Sequence, residues 1–203
     1  WKRAVSAGGF ALLGAGAGLA FLTGATAGVA GLGLAAVVLL YDWLHKRTVF
    51  SPVIMGSARF FCYILAAVAV GQITGLVLWG ALGLLAYTAG LTYAAKQEAF
   101  DRLDRAWPLA VLAAPLIYSL TQAAGAAAPV VLWAGFLAVV LLALRLLIRR
   151  ARGDVRRAAV TLIAGMSLYD AVLIAGMGEL SLAGLAVAGF ALTLVLQRVV
   201  PGT

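Results

Sequence analysis

Cysteine and charge are both scarce in this sequence. Cys62 is the single cysteine and lies inside an apolar run, so an internal disulfide is excluded. Only 11% of the 203 residues are charged, whereas 65% are hydrophobic and the mean hydropathy is +1.08. A soluble domain cannot bury that much apolar surface, but a bilayer removes the need to bury it. The composition therefore indicates a polytopic membrane protein.

No short apolar segment with a small-residue cleavage site follows the first residues, so we expect no signal peptide in this sequence. The first residue is Trp1 rather than methionine. We therefore expect the natural chain to extend upstream of Trp1.

Glycine, in contrast, is abundant. Gly14 with Gly18, and Gly24 with Gly28, have the spacing that lets membrane helices approach closely. The GAGAG stretch resembles a nucleotide-binding loop, but no strand precedes it and no acidic residue follows at the required distance. We therefore expect these glycines to pack helices together.

The apolar runs predict an all-α fold, a single transmembrane helical bundle of about eight helices covering residues 1–203. Ser51 and Pro52 predict an N-cap followed by a proline that opens the third helix. Pro115 predicts a kink within the fifth helix. The expected spans are 4–22, a second ending at Tyr41, 52–74, 77–95, a fifth starting at Pro108, 129–148, 158–176 and 181–196.

Positive charge falls at alternate turns of this arrangement, which is the pattern of cytoplasmic loops. The turns near residues 25, 75, 126 and 178 carry none. We therefore expect both termini to be cytoplasmic. We also expect the chain to be an integral protein of a bacterial inner membrane. The basic residues that set this orientation are Lys2, Arg3, Lys46, Arg47, Lys96, Arg102, Arg105, Arg149, Arg150, Arg152, Arg156, Arg157 and Arg198.

Residues 41–59, YDWLHKRTVFSPVIMGSAR, form the most polar junction between two predicted spans. Asp42 and Lys46 are four apart, so on a helix they share a face and can pair. Arg59 falls about two turns into the next helix, and an intramembrane arginine usually faces a cavity or a partner. Lys46 and Arg59 could neutralise the phosphates of a substrate.

A second polar stretch on the same side is KQEAFDRLDR. Glu98, Asp101 and Asp104 are spaced by three, so on a helix they form an arc of carboxylates that suits Mg²⁺ together with substrate phosphates. Acid, base and membrane together suggest a lipid diphosphate. The alternative is that Arg102 and Arg105 pair with these acids in a solvated loop.

The motifs YDWLHK and SPVIMGSAR, followed by a span that ends in tyrosine and acidic residues, resemble the UbiA superfamily of membrane prenyltransferases. The form of these motifs is most similar to the EboC-like branch. The resemblance covers nearly the whole chain, beginning at the family's third helix, with the eighth span as an extra one. The family's first two helices would therefore lie upstream of Trp1.

This resemblance implies a helical bundle that encloses a cavity opening sideways to lipid. There an isoprenyl diphosphate, held by Mg²⁺ and two aspartate-rich motifs, ionises and alkylates an aromatic or lipid acceptor. The residues that the resemblance and the spacing place at this site are Lys46 and Asp101 as catalytic groups, Tyr41, Asp42, Lys46, Arg59 and Tyr93 around the substrate, and Glu98, Asp101 and Asp104 as metal ligands.

The chain also departs from the family's pattern. Tyr41 and Lys46 are five residues apart instead of four, and Gly90 stands where catalytic members carry an aspartate, three residues before Tyr93. Glu98 and Asp101 are each displaced by one position. The first aspartate-rich motif would lie upstream of Trp1. The rival expectation is therefore a catalytically reduced relative that binds or transports a lipid or metabolite.

Several other residues have two interpretations. His45 is a candidate base, but a histidine beside two cations at a membrane boundary is usually interfacial. Tyr41 and Trp43 also fit an interfacial aromatic belt. Asp170 lies deep in the seventh span, where a polar contact between helices and a catalytic role both remain open.

Overall fold

The structure is a computed structural model that describes residues 2–44, 48, 50–96, 107–149 and 151–199. Within these residues the chain forms eight α-helices and one 3₁₀ segment, with no β-strand, which confirms the predicted all-α helical bundle. The elements are α1 Lys2–Thr23, α2 Ala25–Leu44, α3 Ser51–Val70, α4 Gly75–Lys96, the 3₁₀ segment Trp107–Leu112, α5 Ala113–Ala123, α6 Ala127–Arg149, α7 Asp154–Gly176 and α8 Leu180–Val199.

Six of these helices are long and apolar enough to cross a membrane: α2, α3, α4, α6, α7 and α8. A membrane-spanning helix needs about 20 apolar residues, because the hydrocarbon core is about 30 Å thick and each residue adds about 1.5 Å along the helix axis. The chain is therefore an integral membrane protein. Two of the eight predicted spans are not among these six. The fifth is broken, since α5 has only 11 residues. The apolar part of α1 found within the described residues, Ala7–Thr23, is shorter than the six candidate spans.

Pro115 explains why the fifth span is broken. The 3₁₀ segment ends at Leu112 and α5 starts at Ala113, so Pro115 is the third residue of the new helix. The first N–H groups of a helix have no acceptor within it, and the missing N–H of a proline costs no hydrogen bond there. The expected kink is thus replaced by a new helix start.

The start of α3 differs from the prediction that Ser51 is its N-cap. The cap residue is Phe50, which has a helical conformation (φ −77°, ψ −2°) and accepts hydrogen bonds from the N–H groups of Val53 and Ile54. Ser51 is already the first helical residue, and its buried hydroxyl has no hydrogen-bond partner within the described part of the chain. Pro52 does lie in the first turn, as expected.

The chain divides into two compact units, residues 1–85 and residues 86–203. Helix α4 contributes its first half to unit 1 and its second half to unit 2. Each unit contains its own packed helices. The assignment of residues 1–203 to a single domain stays a prediction.

In unit 1, α1 and α2 meet through small side chains. A Cβ at Gly31 would lie 3.0 Å from the Cβ of Ala20, and Ala20 and Ala27 are buried. Gly14 and Gly18 are exposed instead, and a Cβ at either would meet no described atom within 4 Å. Alanines, rather than the predicted glycine pair, form the α1 side of this interface.

Helices α3 and α4 approach still more closely within unit 1. Gly56, the glycine of the MGSAR motif, is buried, and a Cβ there would lie 2.6 Å from the carbonyl oxygen of Leu85. A backbone oxygen cannot swing aside as a flexible side chain can. Glycine at this position therefore sets the separation of the two helices.

We predict that Gly56→Ala lowers the free energy of unfolding by about 1 to 3 kcal/mol, the usual cost of overpacking. The matched control is Gly14→Ala, where the added methyl group meets open space and alanine is the better helix former. Unfolding in mixed detergent micelles measures both. Equal stability of the two variants would show that α3 and α4 are farther apart than described.

The core of unit 2 is an aromatic cluster packed around α7. Tyr87 of α4, Phe136 of α6 and Tyr169 of α7 are fully buried. The ring centroids of Tyr87 and Phe136 are 5.6 Å apart, and those of Phe136 and Tyr169 are 5.8 Å apart. The Tyr87 hydroxyl donates a hydrogen bond of 2.8 Å to the carbonyl oxygen of Leu162. Gly165 lies beneath that hydroxyl, where a Cβ would collide with it. The second half of α4 is thereby fixed against α7.

The turn between α6 and α7 is tighter than the predicted basic loop. Helix α7 begins at Asp154 rather than near residue 158, after Gly153 in a left-handed conformation (φ +84°). The buried Asp154 carboxylate accepts two hydrogen bonds from Arg149, at 2.7 and 2.8 Å, and one from the Ala151 N–H at 3.0 Å. This bidentate ion pair joins the end of α6 to the start of α7.

Candidate functional site

The polar segment 41–59 occupies the end of α2 and the first half of α3, all within unit 1. Tyr41 is half-buried and Asp42 exposed in the last turn of α2, and Arg59 is exposed in α3. Only six residues separate Leu44, the last of α2, from Ser51, the first of α3. His45 and Lys46 are outside the described residues, so their roles stay predictions.

Arg59 is the least expected member of this segment, because it lies within an apolar helix. It is the ninth residue of α3, which places it about 12 Å along the helix axis from Ser51. No hydrogen bond or ion pair connects it to any residue that the structure describes. Its described electrostatic neighbour is Cys62, one turn farther along the same helix. The guanidinium is therefore available to a ligand that carries negative charge.

The predicted metal ligands Glu98, Asp101 and Asp104 lie outside the described residues. Within the ranges that the structure covers, no three histidine, cysteine or acidic side chains come together as a metal site. Tyr93, the remaining predicted substrate contact, is half-buried in the part of α4 that belongs to unit 2. The magnesium site stays a prediction from the sequence.

Gly90 is buried in α4 against the 3₁₀ segment. A Cβ at this position would lie 2.9 Å from both Cγ and Cδ2 of Leu112, whose side chain is itself buried. This is the position where the resemblance to UbiA proteins implies an aspartate. The space that an aspartate side chain would need is filled by Leu112, so this position contributes no metal ligand and no room for one.

Two features of unit 2 were missed from the sequence. One is the Arg149–Asp154 ion pair, which an acidic residue directly after a glycine at a helix start could have indicated. The other is an apolar groove of about 340 Å³, lined by eight residues of the 3₁₀ segment, α5 and α6. We call it the α5–α6 groove. Leu109, Leu112, Ala113 and Leu116 line it on one side.

Asp170 remains an intramembrane carboxylate with aromatic neighbours. It is partly exposed on α7, and the buried Tyr169 phenol lies within electrostatic range of both Asp170 and Tyr118 of α5. A polar contact of Asp170 with another helix stays a prediction. A catalytic role for Asp170 stays a prediction.

We predict that Gly90→Asp destabilises the protein and that Leu112→Ala in the same chain partly restores stability, because the smaller side chain makes room. Directly contacting residues show coupling energies of about 0.5 to 3 kcal/mol in double-mutant cycles. Unfolding of the two single variants and the double variant gives the coupling energy. Strictly additive effects would contradict the close contact between Gly90 and Leu112.

Comparison of the chain with protein-family models, with curated proteins and with solved structures finds no match.

Proposed function

We propose that this chain belongs to a membrane prenyltransferase, which moves an isoprenyl group from its diphosphate to an aromatic or lipid acceptor. The observation that carries the proposal is the polar segment 41–59, whose motifs resemble those of UbiA prenyltransferases. It joins two membrane-spanning helices and places an arginine with no described partner within an apolar helix. The proposed membership in the UbiA family rests on this resemblance alone.

The proposed chemistry begins with loss of the diphosphate, which leaves an allylic cation. Lys46 and Arg59 supply positive charge to the departing phosphates, and Arg59 can do so with two parallel N–H donors. The half-buried Tyr41 contributes an aromatic wall beside the isoprenyl group. An apolar environment keeps water away from the cation until the acceptor attacks.

Magnesium is the metal implied by this assignment. The carboxylates of Glu98, Asp101 and Asp104 fit it by donor chemistry, because Mg²⁺ prefers hard oxygen ligands and substrate phosphates. When bound, the ion would neutralise charge on the diphosphate. The expected orientation puts these residues at the cytoplasmic face of a bacterial inner membrane, where the positive-inside pattern places the basic turns.

A second candidate is a relative that binds or transports a lipid or metabolite without transferring a prenyl group. The observation that favours it is Gly90, which packs against Leu112 where a catalytic member would present an aspartate. Such a protein would keep the cationic residues of segment 41–59, and with them affinity for a lipid diphosphate. It would have lost the ability to release diphosphate.

The test uses the natural protein, a radiolabelled isoprenyl diphosphate and magnesium. We expect labelled product and free diphosphate, and we expect Lys46→Ala and Asp101→Ala each to lower the rate at least about 100-fold, as for loss of a group that stabilises developing charge. The matched control is Glu179→Gln, which removes an exposed acidic residue at the turn between α7 and α8.

The two candidates differ in the release of diphosphate. Unchanged rates in both Lys46→Ala and Asp101→Ala would contradict the assignment of the site. Saturable binding of the labelled compound with no diphosphate release, whatever acceptor is added, would establish the second candidate. Magnesium-dependent release would exclude it.

A further inference from the structure

The α5–α6 groove is an apolar channel on the side of unit 2. Val140, Leu144 and Ile148 form its α6 wall, and all eight of its lining residues are apolar. These three residues are spaced by four, so they lie on one face of α6 over a length of about 12 Å. The dimensions and chemistry of the groove fit a hydrocarbon chain lying along α6.

Several arginines lie near one end of this groove. Ile148 is the last lining residue, and the exposed Arg145 and Arg149 lie beside it on the same two turns of α6. Arg152, Arg156 and Arg157 follow directly and are exposed at the turn and the first turn of α7. We call these five residues the arginine cluster.

The arginine cluster has a large excess of positive charge. Asp154 is the one acidic residue between positions 145 and 157, and its carboxylate forms an ion pair with Arg149. Arg145, Arg152 and Arg156 form no ion pair with any residue in the described ranges. Cations in the first turn of a helix are unfavourable with respect to the helix dipole, and no ion pair among the described residues neutralises the charge of Arg156.

We propose that the groove and the arginine cluster together bind one anionic glycerophospholipid. An acyl chain lies in the α5–α6 groove, and the phosphate of the headgroup accepts hydrogen bonds from guanidinium groups of the cluster, whose planar forks match phosphate oxygens. The Arg149–Asp154 pair holds the turn that presents these groups. None of these residues belongs to the proposed prenyl-transfer site, so the inference stands independently of it.

The charge of the cluster decides between classes of lipid. A zwitterionic headgroup brings a compensating cation, whereas phosphatidylglycerol brings a net negative charge. Each arginine near an anionic lipid surface contributes about five-fold in affinity. We therefore expect delipidated full-length chain in detergent to bind phosphatidylglycerol at least five-fold more tightly than phosphatidylcholine with identical acyl chains, as measured by native mass spectrometry.

Two sets of variants separate the headgroup from the acyl chain. Arg145→Gln with Arg152→Gln should lower the preference for phosphatidylglycerol, because it weakens the binding of the anionic lipid more than that of phosphatidylcholine. Ala113→Phe should fill the groove and weaken the binding of both lipids. Its matched control, Ala114→Phe, alters an exposed neighbour on α5 that does not line the groove, and should bind both lipids like the natural chain.

Equal affinity of the natural chain for the two lipids would overturn the proposal, and this comparison needs no variant. A preference that the double arginine substitution leaves undiminished, or identical behaviour of the two phenylalanine variants, would overturn it as well. Glycerol 3-phosphate tests for a site that recognises only a free phosphate. If it competes as well as phosphatidylglycerol does, the groove plays no part and the lipid assignment is wrong.

Discussion

The hydrocarbon core of a membrane contains no water to satisfy backbone N–H and C=O groups, and this constraint determines where the chain can bend. This constraint explains the positions of three prolines. Pro52, Pro115 and Pro129 all lie in the first turn of a helix, where a missing N–H costs nothing. The break at Leu112 and Ala113 is the clearest case, and residues on both sides of it line the α5–α6 groove.

The same constraint governs the buried polar side chains. The Tyr87 hydroxyl donates to the carbonyl oxygen of Leu162, and the indole N–H of Trp133 donates to that of Leu116 at 3.0 Å. Each bond crosses between helices, so satisfying a polar group also fixes a helix position. At the membrane boundary the Arg149–Asp154 pair does the same for the turn between α6 and α7. Polar groups therefore act as attachment points within an otherwise apolar bundle.

Hydrophobic run length was enough to predict an all-α membrane protein and the approximate place of each helix. It predicted only some of the small residues that pack: Gly28 is buried against Phe21 of α1 as expected, but the α1 side uses Ala20 while Gly14 faces outward. Nor could it predict contacts between distant segments, such as Gly90 with Leu112 or the walls of the groove. For the proposed site, Tyr41, Asp42, Arg59 and Tyr93 have described positions, whereas the assignment of their roles rests on the resemblance.

The proposed function depends on the binding of an isoprenyl diphosphate by segment 41–59. The most direct test is photocrosslinking of the intact protein with a photoreactive isoprenyl diphosphate, followed by peptide mapping with and without an excess of the unlabelled compound. We expect saturable labelling within residues 41–59, and we expect an excess of the unlabelled diphosphate to reduce it. Labelling confined to other segments, or labelling that the unlabelled compound does not reduce, would contradict it.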